Sequence, residues 1–172
     1  MEIIIILALI LLNGILSMTE MAFVTSRKYK QQADDRFLST IQIGITLIAI
    51  LTGLFSGNRL SGDLATILAR WAPLEKHAYW ISNVLIVAIV TYLTLVIGEL
   101  VPKRLGMMAA DKIAKAMSGL MKLLRQITYP FVWLLSKSTK GIMILFGLSD
   151  LKEAKVTEEE IKALIDEGRE DG

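Results

Sequence analysis

The chain has 172 residues, 53% of them hydrophobic and 21% charged, with a formal net charge of +2 and a mean hydropathy of +0.54. That profile excludes an ordinary soluble globule and reads as an all-α integral membrane protein. No cysteine is present, which excludes disulfides, thiolate metal sites and cysteine nucleophiles.

Three windows reach the roughly 20 apolar residues that a helix needs to cross a bilayer. Residues 3–26 carry only Glu20 as a charged group, residues 37–58 carry none, and residues 78–102 carry only Glu99. A signal peptide is the competing reading of the first window. It is disfavoured because Met1-Glu2 supplies no basic n-region and Asn13, Ser17 and Glu20 interrupt any short apolar core. Those three polar residues are spaced i, i+4, i+7, so they share one helical face within roughly 60°. Seven residues after Glu20 stands Arg27, and snorkelling of Glu20 to the interface or pairing with a base there is the alternative to a functional role.

The connection of residues 27–36 holds Arg27, Lys28, Lys30 and Arg36, and by the positive-inside rule it is cytoplasmic. The second window then opens on Ser39, Thr40, Gln42 and Gly44, and further along Gly53-x-x-x-Gly57, like Gly44, reads as a close-packing surface. The loop 59–77, with only Arg59, Arg70 and Lys76, belongs outside, which also places the N-terminus outside and the C-terminus in the cytoplasm. Trp71, Tyr79, Trp80, Tyr129 and Trp133 suit interfacial aromatic belts, with plain lipid-facing packing as the alternative.

The third window ends on Gly98-Glu99-Leu100-Val101-Pro102-Lys103. An intramembrane carboxylate is expensive to desolvate and is a functional hypothesis by default. Pro102 lacks a backbone donor and clashes with the carbonyl four residues earlier, that of Gly98, so the last turn should distort and expose an oxygen beside Glu99. Thr91 and Thr94 extend the polar stripe, although intramembrane hydroxyls more often bond back to their own helix, and Glu99 has Lys103 at i+4 as an alternative partner. Oxygen donors without sulfur or imidazole suit a hard divalent cation.

Beyond the third window, polar residues at 111, 112, 115, 118, 122 and 125 oppose Ile113, Met117, Leu120, Met121 and Leu124, the pattern of an amphipathic helix on the membrane surface. Residues 127–148 are interrupted by Pro130 and by Ser136-Lys137-Ser138-Thr139-Lys140, and read as a second interfacial or re-entrant helical pair; a fourth span with buried lysines is the alternative. Thr157-Glu158-Glu159-Glu160 is a capping box opening a short cytosolic helix in the acidic segment 150–172, where nine acids face four bases. The expected organisation is a transmembrane domain over 1–149, with belt helices over 111–148, followed by that acidic helix.

Leu16-Ser17-Met18-Thr19-Glu20-Met21-Ala22, Arg36-Phe37-Leu38-Ser39-Thr40-Ile41-Gln42-Ile43-Gly44 and Gly98-Glu99-Leu100-Val101-Pro102-Lys103, followed in order by Tyr129-Pro130-Phe131-Val132-Trp133 and Val156-Thr157-Glu158-Glu159-Glu160, resemble the transmembrane domain of the CNNM/CorC magnesium-transporter family. The resemblance implies a plasma-membrane homodimer with three transmembrane helices and a helical belt per protomer. It also implies Mg²⁺ as the transported ion and cytosolic CBS modules following this segment. Carried over position by position, it names Ser17 and Glu20, Ser39 and Thr40, and Gly98 and Glu99 as metal-site residues, with Glu99 neutralising charge. Two departures stand out: Ile45 follows Gly44 where family members often have asparagine, and the 27–36 connection is shorter than usual.

Two functions follow, transport of a divalent cation or a membrane anchor that senses one for cytosolic regulatory domains. No catalytic role is expected, since no Walker-type phosphate loop exists and the single histidine, His77, lies in a loop away from any intramembrane serine. Nucleic acid is not an expected partner.

Overall fold

The computed structural model describes residues 1–148 together with Lys162 and Ile165. The capped helix expected near 157–168 and the rest of the acidic segment lie outside the described residues. The chain divides into two compact units, Met1–Tyr129 and Pro130–Gly172.

Among the described residues the structure is entirely helical and turn, as the composition requires. Helix α1 runs Glu2–Thr25, α2 Asp35–Leu68 and α3 Ala78–Leu95; a π-helical segment, Val96–Leu100, carries α3 into α4, Val101–Met108, and α5 spans Ala110–Leu145. Short 3₁₀ turns, Lys30–Gln32 and Ala72–His77, make the connections. Three stretches are long and apolar enough to cross a membrane: Glu2–Thr25, Asp35–Leu68 and Glu75–Met108. The second and third exceed the expected windows because the helix runs on through charged positions, Arg59 and Asp63 in the second and Lys103 and Arg104 in the third. Each backbone group in such a span must find its partner internally, so helix persists beyond the composition that first identifies it.

Helix α1 is the central element, packing on α2 and also on the π segment and α4, while α2 packs on α3. Its close approach to α4 depends on glycine. A Cβ on Gly106 would collide with the Met18 carbonyl oxygen, and one on Gly14 would stand 3.0 Å from both the Ile97 oxygen and Pro102 Cγ. Gly44 is likewise a contact position, against Leu16 Cδ1 at 2.7 Å from its ideal Cβ, but Gly53 and Gly57 have nothing within 4 Å. The expected close-packing role of Gly53 and Gly57 is therefore not seen; both border open space instead.

At the other end of α1 a core forms from Ala22, Phe23, Phe37, Ile41, Ala114 and Met121, with Met117, Ile113 and Leu124 packed around it. The Phe23 and Phe37 rings lie 4.5 Å apart and Tyr29 meets Phe23 edge-on. The apolar stripe predicted for residues 111–125 thus seals this cluster, with Leu120 left exposed. Asp34 fixes the corner twice: its carboxylate caps α2 by accepting from Phe37 N at 2.9 Å and accepts two bonds from Arg125 at 2.8 and 3.0 Å.

One element differs from expectation: in place of separate helices over 111–148, a single helix α5 passes through Pro130 without interruption. The proline removes one backbone bond, and the polar run that suggested a break is satisfied within the helix. Ser138 and Thr139 donate to the Leu134 and Leu135 carbonyls, and Lys137 lies over the Trp133 ring at 5.9 Å.

Replacing Gly106 with alanine should lower the stability of the purified protein by about 1–3 kcal/mol, because a backbone carbonyl cannot move aside. Gly119→Ala, in open space on α5, should be neutral or stabilising by up to about 1 kcal/mol. Thermal unfolding in detergent checks both, and equal shifts would sink the packing argument.

Candidate cation site

The site begins with a missing hydrogen. Pro102 cannot donate to the Gly98 carbonyl, and the helix answers upstream by widening one turn: the Val101 N–H bonds the Val96 carbonyl, five residues back. The distortion expected from Pro102 is present, but the helix does not break; it resumes as α4. Gly98 O is left without its usual helical partner, and Asn13 Nδ2 of α1 donates to it at 3.0 Å. Gly98 is small enough for this approach, its ideal Cβ standing only 3.2 Å from Asn13 Nδ2 and 3.3 Å from the Ile10 carbonyl.

Around this bond lie oxygens with nothing to bind. Asn13 Oδ1 and Ser17 Oγ are both buried and unpartnered, one helical turn apart on the same face of α1. Buried polar atoms in native proteins normally have partners, so two orphans beside the π turn stand out. Asn13 and Ser17 are both at most 2% exposed. Asn13 shares the predicted polar face, but it was not among the expected site residues. Its signal was the i, i+4 spacing to Ser17.

The remaining expected ligands are placed differently. Gly98 is joined to Asn13, and Ser17 lies one helical turn further along α1 from Asn13. Glu99 sits in the π segment next to Gly98, partly exposed, and Glu20 is partly exposed on α1. Neither the Glu99–Lys103 nor the Glu20–Arg27 pairing occurs among the described residues, whose ion pairs are Arg59–Glu2 and Arg125–Asp34. Both carboxylates are therefore left without a basic partner there. Ser39 is partly buried, with no hydrogen bond among the described residues. Thr40 is committed elsewhere: its hydroxyl donates to the Arg36 carbonyl at 2.8 Å and meets Thr128 Oγ1 at 3.1 Å, fastening α2 to α5. No cluster of three or more acidic, histidine or cysteine side chains occurs among the described residues.

The profile described as the cyclin M transmembrane N-terminal domain matches residues 4–172. A UPF0053 protein of Synechocystis is 38% identical over the whole chain, covering 42% of that relative. UPF0053 protein YhdP of Bacillus subtilis is 29% identical over 80% of the chain and 32% of its own length. A polyamine export protein of Haemophilus influenzae is 27% identical over 97% of the chain and 43% of its own length. The chain thus spans less than half the length of these relatives.

Asn13→Ala, by leaving the Gly98 carbonyl unpaired, should destabilise the protein by about 1 kcal/mol. Gln42→Ala, which removes an exposed contact with Thr46 inside α2, should cost clearly less. Thermal unfolding in detergent compares them, and an Asn13 variant as stable as the Gln42 one would remove the bridge from the account.

Proposed function

This multi-pass membrane chain belongs to the cyclin M transmembrane domain family, and we propose that it carries a divalent cation, Mg²⁺ foremost, across the membrane. The observation that supports this reading is the π turn at Gly98-Glu99 laid against two unpartnered buried oxygens of α1. In the proposed site, Ser17 Oγ, Asn13 Oδ1 and a backbone carbonyl of the π turn supply neutral oxygens. Glu99 supplies the charge, and Ser39 and Glu20 flank the route.

The donor chemistry fits Mg²⁺. A hard cation takes oxygen ligands, and Mg²⁺ commonly keeps several waters and only one or two carboxylates. A charged carboxylate within a spanning helix is costly to desolvate, and a bound cation offsets much of that cost. Few charged ligands make for modest affinity, which a transporter needs in order to release its cargo. Nothing in the chain resembles an ATP-hydrolysing loop, so an ion gradient or the membrane potential is the proposed driving force. The same reading takes the protein as a plasma-membrane homodimer, with its N-terminus outside and its C-terminus facing the cytoplasm towards regulatory modules. Anchoring and sensing without transport is the alternative that flux decides. The Haemophilus relative bears the name of a polyamine exporter, so an organic polycation is the second cargo to be compared.

The test is Mg²⁺ flux into proteoliposomes, with spermidine as competitor, for the full-length protein and its Glu99→Ala and Ser17→Ala variants. Glu99→Ala should slow flux at least about tenfold, a loss of about 1.4 kcal/mol, and Ser17→Ala should weaken Mg²⁺ binding. Undiminished flux in Glu99→Ala would refute the site. Binding without any flux in the wild-type protein would refute transport and leave the sensor, and flux of spermidine alone would replace Mg²⁺ as cargo.

A further inference from the structure

The spans Glu2–Thr25 and Glu75–Met108 end beside each other, and between their ends and the first turn of α5 opens a cavity of about 420 Å³. Arg27 lines it from just beyond α1, Met107 and Met108 from the end of α4, and Asp111 and Lys112 from the start of α5. None of these residues belongs to the site at Gly98. The backbone sets the shape of the cavity: Gly106 lets α4 lie directly on α1, and the elbow at Ala109 then turns the chain into α5. Because two spans finish at its rim, the cavity sits at the depth where hydrocarbon gives way to headgroups.

Two kinds of surface meet in its wall. Met108 is 83% exposed and Met107 46%, apolar side chains that suit acyl chains better than water. Arg27 and Lys112 bring positive charge from two different elements, and neither takes part in the ion pairs of the described residues, Arg59–Glu2 and Arg125–Asp34. One negative charge is also present, on Asp111, whose carboxylate is drawn to the end of α1 by the Ser26 hydroxyl that donates to it. The wall therefore keeps a net positive charge. It also lies in a wider basic field, since residues 27–36 and 103–125 hold ten bases against three acids.

Apolar side chains at the end of a span, followed at once by unpaired cations, match the order in which a phospholipid presents its acyl chain and its phosphate. The space equals about fourteen waters, room for a phosphate with its glycerol. Basic pockets between membrane helices hold anionic headgroups through this combination. A soluble anion would leave both methionines in water, so the bilayer is the source that the lining favours. We propose that this cavity binds an anionic phospholipid of the surrounding bilayer, its phosphate between Arg27 and Lys112 and an acyl chain against Met107 and Met108. The proposal does not depend on what the spans carry.

Native mass spectrometry of the full-length protein in detergent, titrated with phosphatidylglycerol or with phosphatidylcholine of the same chains, tests it. Phosphatidylglycerol should bind at least about tenfold tighter. Arg27→Gln combined with Lys112→Gln should abolish that preference. Lys28→Gln combined with Lys115→Gln removes as much charge outside the cavity wall and should change the preference by less than about twofold. Asp111→Asn keeps an oxygen for Ser26 but removes the negative charge, so it should tighten phosphatidylglycerol binding several-fold, a gain that a misfolded variant would not give. Equal losses in the two double variants would assign the preference to diffuse surface charge and overturn the site. Displacement of the lipid by glycerol phosphate at comparable concentration would make the occupant a soluble phosphate ester. A preference that emerges only when the nine acids of residues 150–172 are neutralised would give the cavity to that segment. Either of these two outcomes also overturns the proposal.

Discussion

One absent N–H organises the membrane-embedded half of this protein. Pro102 denies the Gly98 carbonyl its helical partner, the chain widens into a π turn, and an amide from a different helix takes up the oxygen. Away from water an unpaired carbonyl is costly, so the bond from Asn13 ties α1 to the turn. The glycines at 14, 98 and 106 permit the approach that makes this bond reachable. The same arrangement leaves Asn13 Oδ1 pointing away from Gly98 with no partner, and Ser17 Oγ beside it on the helix face. The bond between the helices and the unpartnered Asn13 oxygen therefore arise from a single local event.

Most other intramembrane hydroxyls are spent locally. Thr19, Thr40, Thr52 and Ser56 donate to carbonyls three or four residues back, which satisfies each hydrogen without a tertiary contact. Such a hydroxyl is no longer a donor, but its oxygen can still accept. Ser17 and Thr94, whose oxygens have no partner, stand apart from this pattern.

The opposite end of the spans is held by a different kind of contact. Ser26, at the end of α1, donates to Asp111 in the first turn of α5, while Asp34 and Arg125 close the corner where α2 begins. Because α4 continues from the π turn, this corner lies one short helix from Gly98. An elbow at Ala109, between α4 and α5, separates them.

Three apolar windows, their helical state and the membrane class were legible in the sequence, because length and hydropathy alone decide whether a segment can leave water. The distortion ahead of Pro102 was legible too, since it follows from a missing donor. The continuity of α5 through Pro130 was not, because a proline's effect depends on whether the neighbouring turns stay satisfied. Nor could the sequence divide its many hydroxyls into spent and free ones: Thr40 resembles Ser17 in composition and setting, yet its hydroxyl meets Thr128 while that of Ser17 meets nothing. Asn13 acquired its meaning only when α1 was laid against a carbonyl 85 residues away. Local chemistry set which groups needed partners, and the packing of distant helices determined which groups found them.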